Sequence, residues 1–222
     1  MDVRSLDGLK YKDGLVTVVA QDYATGTICM LAHATKEALA KTLATGKATF
    51  WSRSRSSLWT KGETSGNVLH VTSVWLDCDG DAVIYLVEPT GPSCHTGAQT
   101  CFFERLDGAP VHEGEVAEPV LARLERELQR RKAGEGERSY TRRLLERGTP
   151  KISEKIREEA GELCDALADE TDERVVSEAA DLVYHVMVGL LSRGVPRRDV
   201  EVALAERFGI SGLDEKASRT SE

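Results

Sequence analysis

Residues 149–185 read TPKISEKIREEAGELCDALADETDERVVSEAADLVYH, and this stretch predicts two successive helices. Thr149 offers a capping hydroxyl directly before Pro150, which suits the first position of a helix. A second helix is expected over about residues 174–192, because Gly194 and Pro196 then end the pattern. The first of the two helices carries one apolar stripe at helical spacing, formed by Ile152, Ile156, Ala160, Leu163 and Leu167.

The segments on both sides of this stretch are predicted to be helical as well. Leu121, Leu124 and Leu128 repeat at helical spacing, and residues 140–148 and 197–208 are two further candidates. The second half of the chain therefore has the pattern of a helical bundle.

The first half has a different pattern, which is typical of β structure. One helix is expected near residues 35–45, with Thr35 as its N-cap and Gly46 just past its end. Strands are expected in three segments, residues 16–20, 68–76 and 82–88.

This change of pattern predicts an α+β protein with two domains. Residues 1–106 would form a β-rich metal-binding N-terminal domain, residues 107–119 a polar linker, and residues 120–222 an all-α helical-bundle C-terminal domain. A single α+β domain with a helical extension is the alternative.

Composition narrows the class of protein. The chain has 222 residues and a formal net charge of -8, which argues against non-specific nucleic-acid binding. No apolar run approaches the ~20 residues that cross a bilayer, and the start of the chain lacks the pattern of a signal peptide. We therefore expect a cytoplasmic protein without a nucleic-acid or membrane partner. Five cysteines, an odd number, do not indicate a disulfide framework, and Cys29 and Cys164 are expected only to pack.

Three carboxylates and a thiol stand together at residues 77–81, which read DCDGD. If the segment is extended, the three aspartates share one side, and if it turns at Asp79-Gly80, they crowd around the bend. In both cases three like charges need a cation, and hard oxygen ligands suit Mg2+. A solvated acidic turn is the alternative.

Cysteines in and after this segment indicate a second kind of metal site. The thiolates of Cys78, Cys94 and Cys101 could bind one Zn2+ and leave its fourth position to water, which is the arrangement of a catalytic zinc. For each cysteine the alternative is a small buried apolar residue.

Residues 50–67 form a candidate phosphate-binding segment, with Arg53, Arg55 and Lys61 among hydroxyls, glycines and two tryptophans. Guanidinium groups and glycine-rich turns suit phosphate, and tryptophan faces suit a base. A nucleic-acid patch would look similar, but the acidic net charge favours a small phosphorylated substrate.

Four blocks of the first half, in this order, resemble phosphoribosyl-AMP cyclohydrolase over most of residues 15–104. They are SRSR at 52–55, KGETSGN at 61–67, DCDGD at 77–81 and CHTG at 94–97. The resemblance implies Mg2+ at Asp77, Asp79 and Asp81 and Zn2+ at Cys78, Cys94 and Cys101. It also implies a homodimer in which Cys78 reaches the zinc of the other subunit. One departure is His-Ala-Thr at residues 33–35, where the family commonly has Tyr-Met-Asn.

The activity implied is hydrolytic opening of a purine ring. Water activated by zinc would attack carbon 6 of the adenine in phosphoribosyl-AMP, and the bond to ring nitrogen 1 would break. We predict that His95 transfers a proton, because its unperturbed pKa lies near neutrality. The alternative is that His95 only hydrogen-bonds near the zinc.

In the helical half, carboxylates recur at a spacing that places them on one helix face. Glu159 and Glu162 are three residues apart, with Lys155 one turn earlier, and Glu178 and Asp181 repeat the spacing on the next helix. Two helices that each present such a pair can clamp Mg2+ between them. A solvated acidic face is the alternative.

The same residues carry a second resemblance. KIREEAGE at 155–162 and EAADLVYH at 178–185 resemble phosphoribosyl-ATP pyrophosphohydrolase, a branch of the MazG-like all-α NTP pyrophosphatases, over about residues 121–208. The resemblance implies that Lys155, with Arg142 or Arg143, contacts phosphates of the bound nucleotide. The product, phosphoribosyl-AMP, would be the substrate of the first half. The residues implied to hold Mg2+ and act in catalysis are Glu159, Glu162, Glu178 and Asp181.

Two other functions are compatible with these residues. In one, the helical half is a house-cleaning NTP pyrophosphatase of broad specificity. In the other, the first half is a zinc-stabilised binding module and the second a helical dimerisation domain, which would require a closed zinc site with a fourth protein ligand.

Overall fold

The computed structural model describes residues 6–107, 116–134 and 139–208. The chain divides into two compact units, Met1–Pro119 and Val120–Glu222. Among the described residues, all strands belong to the first unit and the second is helical, so the predicted α+β class is confirmed. Most of the predicted linker, residues 108–115, lies outside the described residues.

The first unit is built on a six-stranded sheet in the order β4-β3-β2-β1-β6-β5. Neighbouring strands are antiparallel except for β1 and β6, which are parallel. The three predicted strands are confirmed as β1, β5 and β6. The strands are β1 (Val16–Asp22), β2 (Ile28–Ala34), β3 (Thr49–Ser52), β4 (Ser57–Thr60), β5 (Leu69–Leu76) and β6 (Ala82–Pro89).

The predicted helix is confirmed as α1 (Lys36–Thr45). The Thr35 side chain accepts a hydrogen bond from the Ala38 backbone N–H at 3.2 Å, which caps the first turn. Gly46 follows with a φ of 66°, the left-handed conformation that ends a helix at low cost for glycine.

One face of the sheet is buried and the other is not. Along β1, Val16, Val18 and Ala20 are buried while the residues between them are partly exposed, as expected when alternate side chains point to opposite faces. Leu39 of α1 and Phe50 of β3 complete the core beneath that face.

The outer face carries an apolar row in register across four strands. Leu31 pairs with Val19, Val19 with Ile84, and Ile84 with Trp75. Trp75 is 60% exposed and Leu31 48%. Exposed apolar side chains aligned in this way are typical of a surface that another protein covers.

The second unit contains four helices among its described residues. The predicted segments 140–148 and 149 onward form one element, α3, with a break at Gly148, where φ is 72° and ψ is -174°. Thr149 follows with helical φ and ψ, so the second segment of α3 begins at Thr149, and the predicted start at Pro150 was wrong by one residue. The helices are α2 (Val120–Lys132), α3 (Tyr140–Asp169), α4 (Asp172–Arg193) and α5 (Arg197–Ala205).

The apolar stripe predicted for α3 is only partly buried. Ile152 is in the core, but Leu167 is 64% exposed, so the prediction was wrong at its C-terminal end. The residues that are buried instead, Glu159 and Ala166, follow Ile152 at intervals of seven and so share its face. The buried face is therefore rotated toward the carboxylates.

One prediction from composition needs correction. Cys164 is exposed rather than packed, whereas Cys29 is buried as expected. By length and mean hydropathy, 1.4 over its most apolar window, α4 is long and apolar enough to cross a membrane, although Glu178 and Asp181 interrupt its apolar residues. Core helices of soluble bundles meet the same test, and α4 carries Glu178 and Asp181 on the side that faces α3.

Candidate metal centres

The three aspartates of residues 77–81 meet at a bend between β5 and β6. The Asp77 carboxylate accepts backbone hydrogen bonds from Gly80 at 2.7 Å and Asp81 at 3.0 Å. Gly80 has a φ of 80°, so the chain turns here, as one of the two predicted arrangements requires. Carboxylate oxygens of Asp77, Asp79 and Asp81 all lie within 4.8 Å of one another.

The crowded carboxylates perturb each other. Desolvation pushes the pKa of Asp77 upward, but hydrogen bonds from the backbone N–H groups of Ala82 and Gly80 lower it overall. The pKa of Asp81 is raised by its hydrogen bond with Asp77 and by the charge of Asp79. Among the residues that the structure describes, the cation beside this group is Lys10, whose ammonium lies 3.5 Å from Asp79 and is mostly exposed. The donor set is hard, acidic and underneutralised, which fits Mg2+.

A cavity of about 490 Å³ lies between the candidate phosphate-binding segment, residues 50–67, and the loop that contains Cys94, His95 and Cys101. Of the three predicted substrate-binding cations, Arg55 and Lys61 line it, whereas Arg53 does not. Arg53 acts instead on His33, whose pKa is lowered by burial and by the arginine charge. The residues of this cavity that carry chemistry are Arg55, Trp59, Lys61, Cys94, His95 and Cys101.

The wall of this cavity depends on Gly62, which has a φ of 86°. A Cβ at this position would lie 2.5 Å from the backbone carbon of Asn67. The Lys61 ammonium donates a hydrogen bond to the Asn67 carbonyl at 3.2 Å, so the loop closes on itself beside the cavity. Only glycine fits this turn.

Two of the three predicted zinc ligands come together. The Thr96 hydroxyl donates to the Cys94 sulfur at 3.2 Å, and this bond lowers the pKa of Cys94 despite its desolvation. Burial and the neighbouring Cys94 raise the pKa of Cys101 to about 11. Two neighbouring cysteine sulfurs form a soft donor set that suits Zn2+. His95 lies beside them, with Nδ1 3.8 Å from the Cys94 sulfur.

Cys78 is not part of this pair. It is exposed on the acidic bend, and no group of mutually close metal-ligating atoms among the described residues unites it with Cys94 and Cys101. Within one chain, the structure brings Cys94 and Cys101 together and leaves Cys78 apart from them.

The helical unit has a second group of carboxylates, between α3 and α4. Oxygens of Glu159, Glu178 and Asp181 lie within 4.8 Å of one another. Glu159 is only 6% exposed and Glu178 only 3%, so two charges are removed from water here and need compensation. Glu162 joins the group through a hydrogen bond with Glu178, which raises the pKa of Glu162.

Among the described residues, one cation from each helix pairs with carboxylates of this group. The Lys155 ammonium lies 2.8 Å from both Glu158 and Glu159, and these bonds raise the pKa of Lys155. On the other helix, Arg174 lies 2.6 Å from Glu178. Arg174 was not among the predicted site residues, although its position four residues before Glu178 places the two side chains on one helix face.

His185 connects the carboxylates to the start of α3. Its Nδ1 lies 2.8 Å from the Asp181 carbonyl, and because a carbonyl only accepts, Nδ1 carries the proton. Its Nε2 then accepts a hydrogen bond from the Tyr140 hydroxyl at 3.2 Å. Tyr140 was not predicted as a site residue, since 45 positions separate it from His185. The predicted phosphate contact Arg142 is paired with Glu146 at 3.2 Å on its own helix.

Comparison with known proteins gives matches over both units. Residues 30–103 match the family described as phosphoribosyl-AMP cyclohydrolase, and residues 121–208 match the family described as phosphoribosyl-ATP pyrophosphohydrolase.

Single proteins that contain both parts are also similar to the chain. The chloroplastic histidine biosynthesis bifunctional protein hisIE of Arabidopsis thaliana is 45% identical over 97% of this chain and 80% of its own length. Histidine biosynthesis bifunctional proteins of Photobacterium profundum and Thermus thermophilus are each 46% identical, over 88% and 87% of this chain and 93% and 89% of their own lengths.

Proposed function

The chain belongs to the family of histidine biosynthesis bifunctional proteins, and from this premise we propose which residues and metals perform its two reactions. The enzyme hydrolyses phosphoribosyl-ATP to phosphoribosyl-AMP and pyrophosphate, and then opens the adenine ring of phosphoribosyl-AMP. These are the second and third steps of histidine biosynthesis, and the C-terminal part acts first.

For ring opening, the proposed centre is the cavity that joins the phosphate-binding segment to Cys94 and Cys101. The soft donors support Zn2+, which would supply an acidified water that is nucleophilic at neutral pH. Arg55 and Lys61 bind the phosphates, and Trp59 contacts the base. His95 transfers the proton to or from the reacting ring. Asp77, Asp79 and Asp81 hold Mg2+.

The third zinc ligand, Cys78, is proposed to come from a second subunit of a homodimer. Its separation from Cys94 supports this arrangement. The exposed apolar row from Leu31 to Trp75 supports a sheet face that a second copy covers.

Subunit complementation tests the shared site. Neither Cys78→Ala nor Cys94→Ala alone should open the ring. Mixed dimers of the two variants rebuild one intact site out of two, so random pairing should recover about a quarter of the wild-type rate. No recovery in demonstrably mixed dimers would mean that all three thiols act within one chain.

For pyrophosphate release, the carboxylates of Glu159, Glu162, Glu178 and Asp181 are proposed to hold Mg2+. The observation that supports this proposal is the convergence of buried carboxylates from α3 and α4. Mg2+ would neutralise phosphate charge and orient the attacking water. Lys155 contacts the substrate phosphates once the cation has taken its carboxylate partners.

Variants that each block one of the two reactions test the two proposed metal centres in the full chain, supplied with phosphoribosyl-ATP. Glu162→Gln should leave phosphoribosyl-ATP uncleaved but should still open added phosphoribosyl-AMP. Cys94→Ala should release pyrophosphate, accumulate phosphoribosyl-AMP and lose bound zinc by elemental analysis. If both variants completed both reactions, the proposed centres would be wrong.

A cytoplasmic location is also a proposal. The relative from Arabidopsis thaliana is instead chloroplastic by name. Fractionation of cells that express the chain tests the location.

A further inference from the structure

We propose that Arg174 is an exchangeable counter-ion of the helical metal site. It pairs with Glu178 when no divalent cation is bound, and it moves to the phosphates of phosphoribosyl-ATP when the cation takes Glu178. This inference rests on the proposed function of the helical unit.

The geometry of Arg174 suits an exchange of partners. Its Nη2 lies 2.6 Å from Glu178, whose side chain is only 4% exposed, while the guanidinium side chain itself is 54% exposed. One edge of the guanidinium therefore faces a buried carboxylate and another remains open to solvent. The Nε atom of Arg174 also lies 2.9 Å from Glu170, a residue that is not part of the carboxylate cluster. This second ion pair keeps the guanidinium next to Glu178.

The charges around the site give this exchange a driving force. Glu178 shares its environment with Glu159 and Asp181, and Arg174 is the cation that directly contacts it. A divalent ion bound to the Glu178 carboxylate competes with the Arg174 guanidinium. Both are cations that neutralise the same negative charge, and at this distance they repel each other. The released guanidinium then lies beside the metal, where the triphosphate binds.

Arginine is suited to the second partner as well as to the first. Its planar fork donates two parallel hydrogen bonds to a phosphate in the way it does to a carboxylate. Lys155 stands in the corresponding position on α3, where it contacts Glu158 and Glu159. The two helices would therefore each contribute one cation that alternates between carboxylate and phosphate.

Binding of Mn2+ to the full-length protein without substrate, followed by electron paramagnetic resonance of the free ion, tests the first half of the inference. Arg174→Gln should bind Mn2+ at the helical site several-fold more tightly than wild type, because a competing cation is gone. The helical site is identified as the binding that Glu178→Gln abolishes. Arg193→Gln is the control, since Arg193 is an exposed arginine at the far end of the same helix.

Steady-state pyrophosphate release tests the second half. Arg174→Gln should raise KM for phosphoribosyl-ATP about tenfold with a smaller change in kcat, as expected for a lost phosphate contact. Arg174→Lys should recover part of the loss in KM, because the charge remains but the fork does not.

If the ion pair of Arg174 with Glu178 had only a structural role, Arg174→Gln would show the same Mn2+ affinity and the same KM for phosphoribosyl-ATP as Arg193→Gln. That result would overturn the inference. Unchanged Mn2+ affinity alone would refute the competition, and unchanged KM alone would refute the phosphate contact. If Glu178→Gln kept full Mn2+ binding and pyrophosphate release, the proposed metal site itself would fall, which is a separate result.

Discussion

Lys155→Met is expected to destabilise the helical unit when magnesium is absent and to do so much less when magnesium is present. The substitution removes the ammonium that contacts Glu158 and Glu159 but keeps an apolar side chain of similar length. The buried carboxylate of Glu159 then has lost its nearest cation.

The size of the effect follows from burial. The Lys155 side chain is 17% exposed and that of Glu159 is 8% exposed. Exposed helical pairs contribute about 0.3–0.5 kcal/mol, whereas removal of one partner from a buried pair costs roughly 3–5 kcal/mol. Because Lys155 retains some access to water, we expect a loss of about 2 kcal/mol. With a urea m-value near ~2 kcal/mol/M, the midpoint should fall by about 1 M.

Urea unfolding followed by circular dichroism at 222 nm measures this change. The helical unit dominates that signal, whereas all three tryptophans, Trp51, Trp59 and Trp75, lie in the first unit. Tryptophan fluorescence should therefore report an unaltered transition in the same samples. Magnesium binds the folded site and replaces the missing cation, so the midpoint gap between variant and wild type should narrow as magnesium is added.

Lys151→Met is the matched control. Lys151 lies one turn before Lys155 on the same helix and pairs with Glu154, whose side chain is 62% exposed. Its loss should shift the midpoint by no more than about 0.3 M, in line with an exposed pair. Equal shifts for the two variants, or a gap for Lys155→Met that magnesium does not narrow, would refute the reasoning.

Two further outcomes are expected. Gly62→Ala should raise KM for phosphoribosyl-AMP about tenfold and leave pyrophosphate release unchanged, because its Cβ would meet the Asn67 backbone. Gly66→Ala, at a φ of 80° but in open space, should have a smaller effect in the same ring-opening assay. Without magnesium, the urea midpoint of wild type should fall relative to Glu162→Gln as pH rises. The hydrogen bond between Glu162 and Glu178 raises the pKa of Glu162 in the folded state. The stabilisation from the Glu162 proton is therefore complete at low pH and is lost as the pH rises through this raised pKa. A gap that stays constant from pH 4 to 8 would contradict the shared proton.

Much of the fold could be predicted from local pattern, and the missed elements have a physical explanation. The strands β1, β5 and β6 contain β-branched runs, and α1 has both of its caps in the sequence. In contrast, β2 reads ICMLAHA, which lacks a clear alternation, and β3 and β4 lie in a segment rich in arginine and serine. The parallel pairing of β1 with β6 joins residues more than 60 positions apart, and no local signal specifies it.

The same distinction applies to the metal centres. The spacing of Glu159 and Glu162, and of Glu178 and Asp181, placed each pair on one helix face, and the two faces do meet. The contact of Tyr140 with His185 depends on how two helices pack, so sequence could not predict it. The separation of Cys78 from Cys94 likewise depends on how the sheet positions two loops.

Because of the break at Gly148, the direction in which the side chains of the second segment of α3 point does not depend on the length of the first segment. In an uninterrupted helix, one inserted residue rotates everything that follows by about 100° relative to what precedes it. Here an insertion among residues 141–146 would be absorbed at Gly148, and the face that bears Glu159 would keep its orientation. One residue inserted between Ile152 and Glu159 would instead turn that carboxylate away from α4. Length variation before the break should therefore displace Tyr140 from His185 but leave Glu159 in place, whereas length variation after the break should abolish pyrophosphate release.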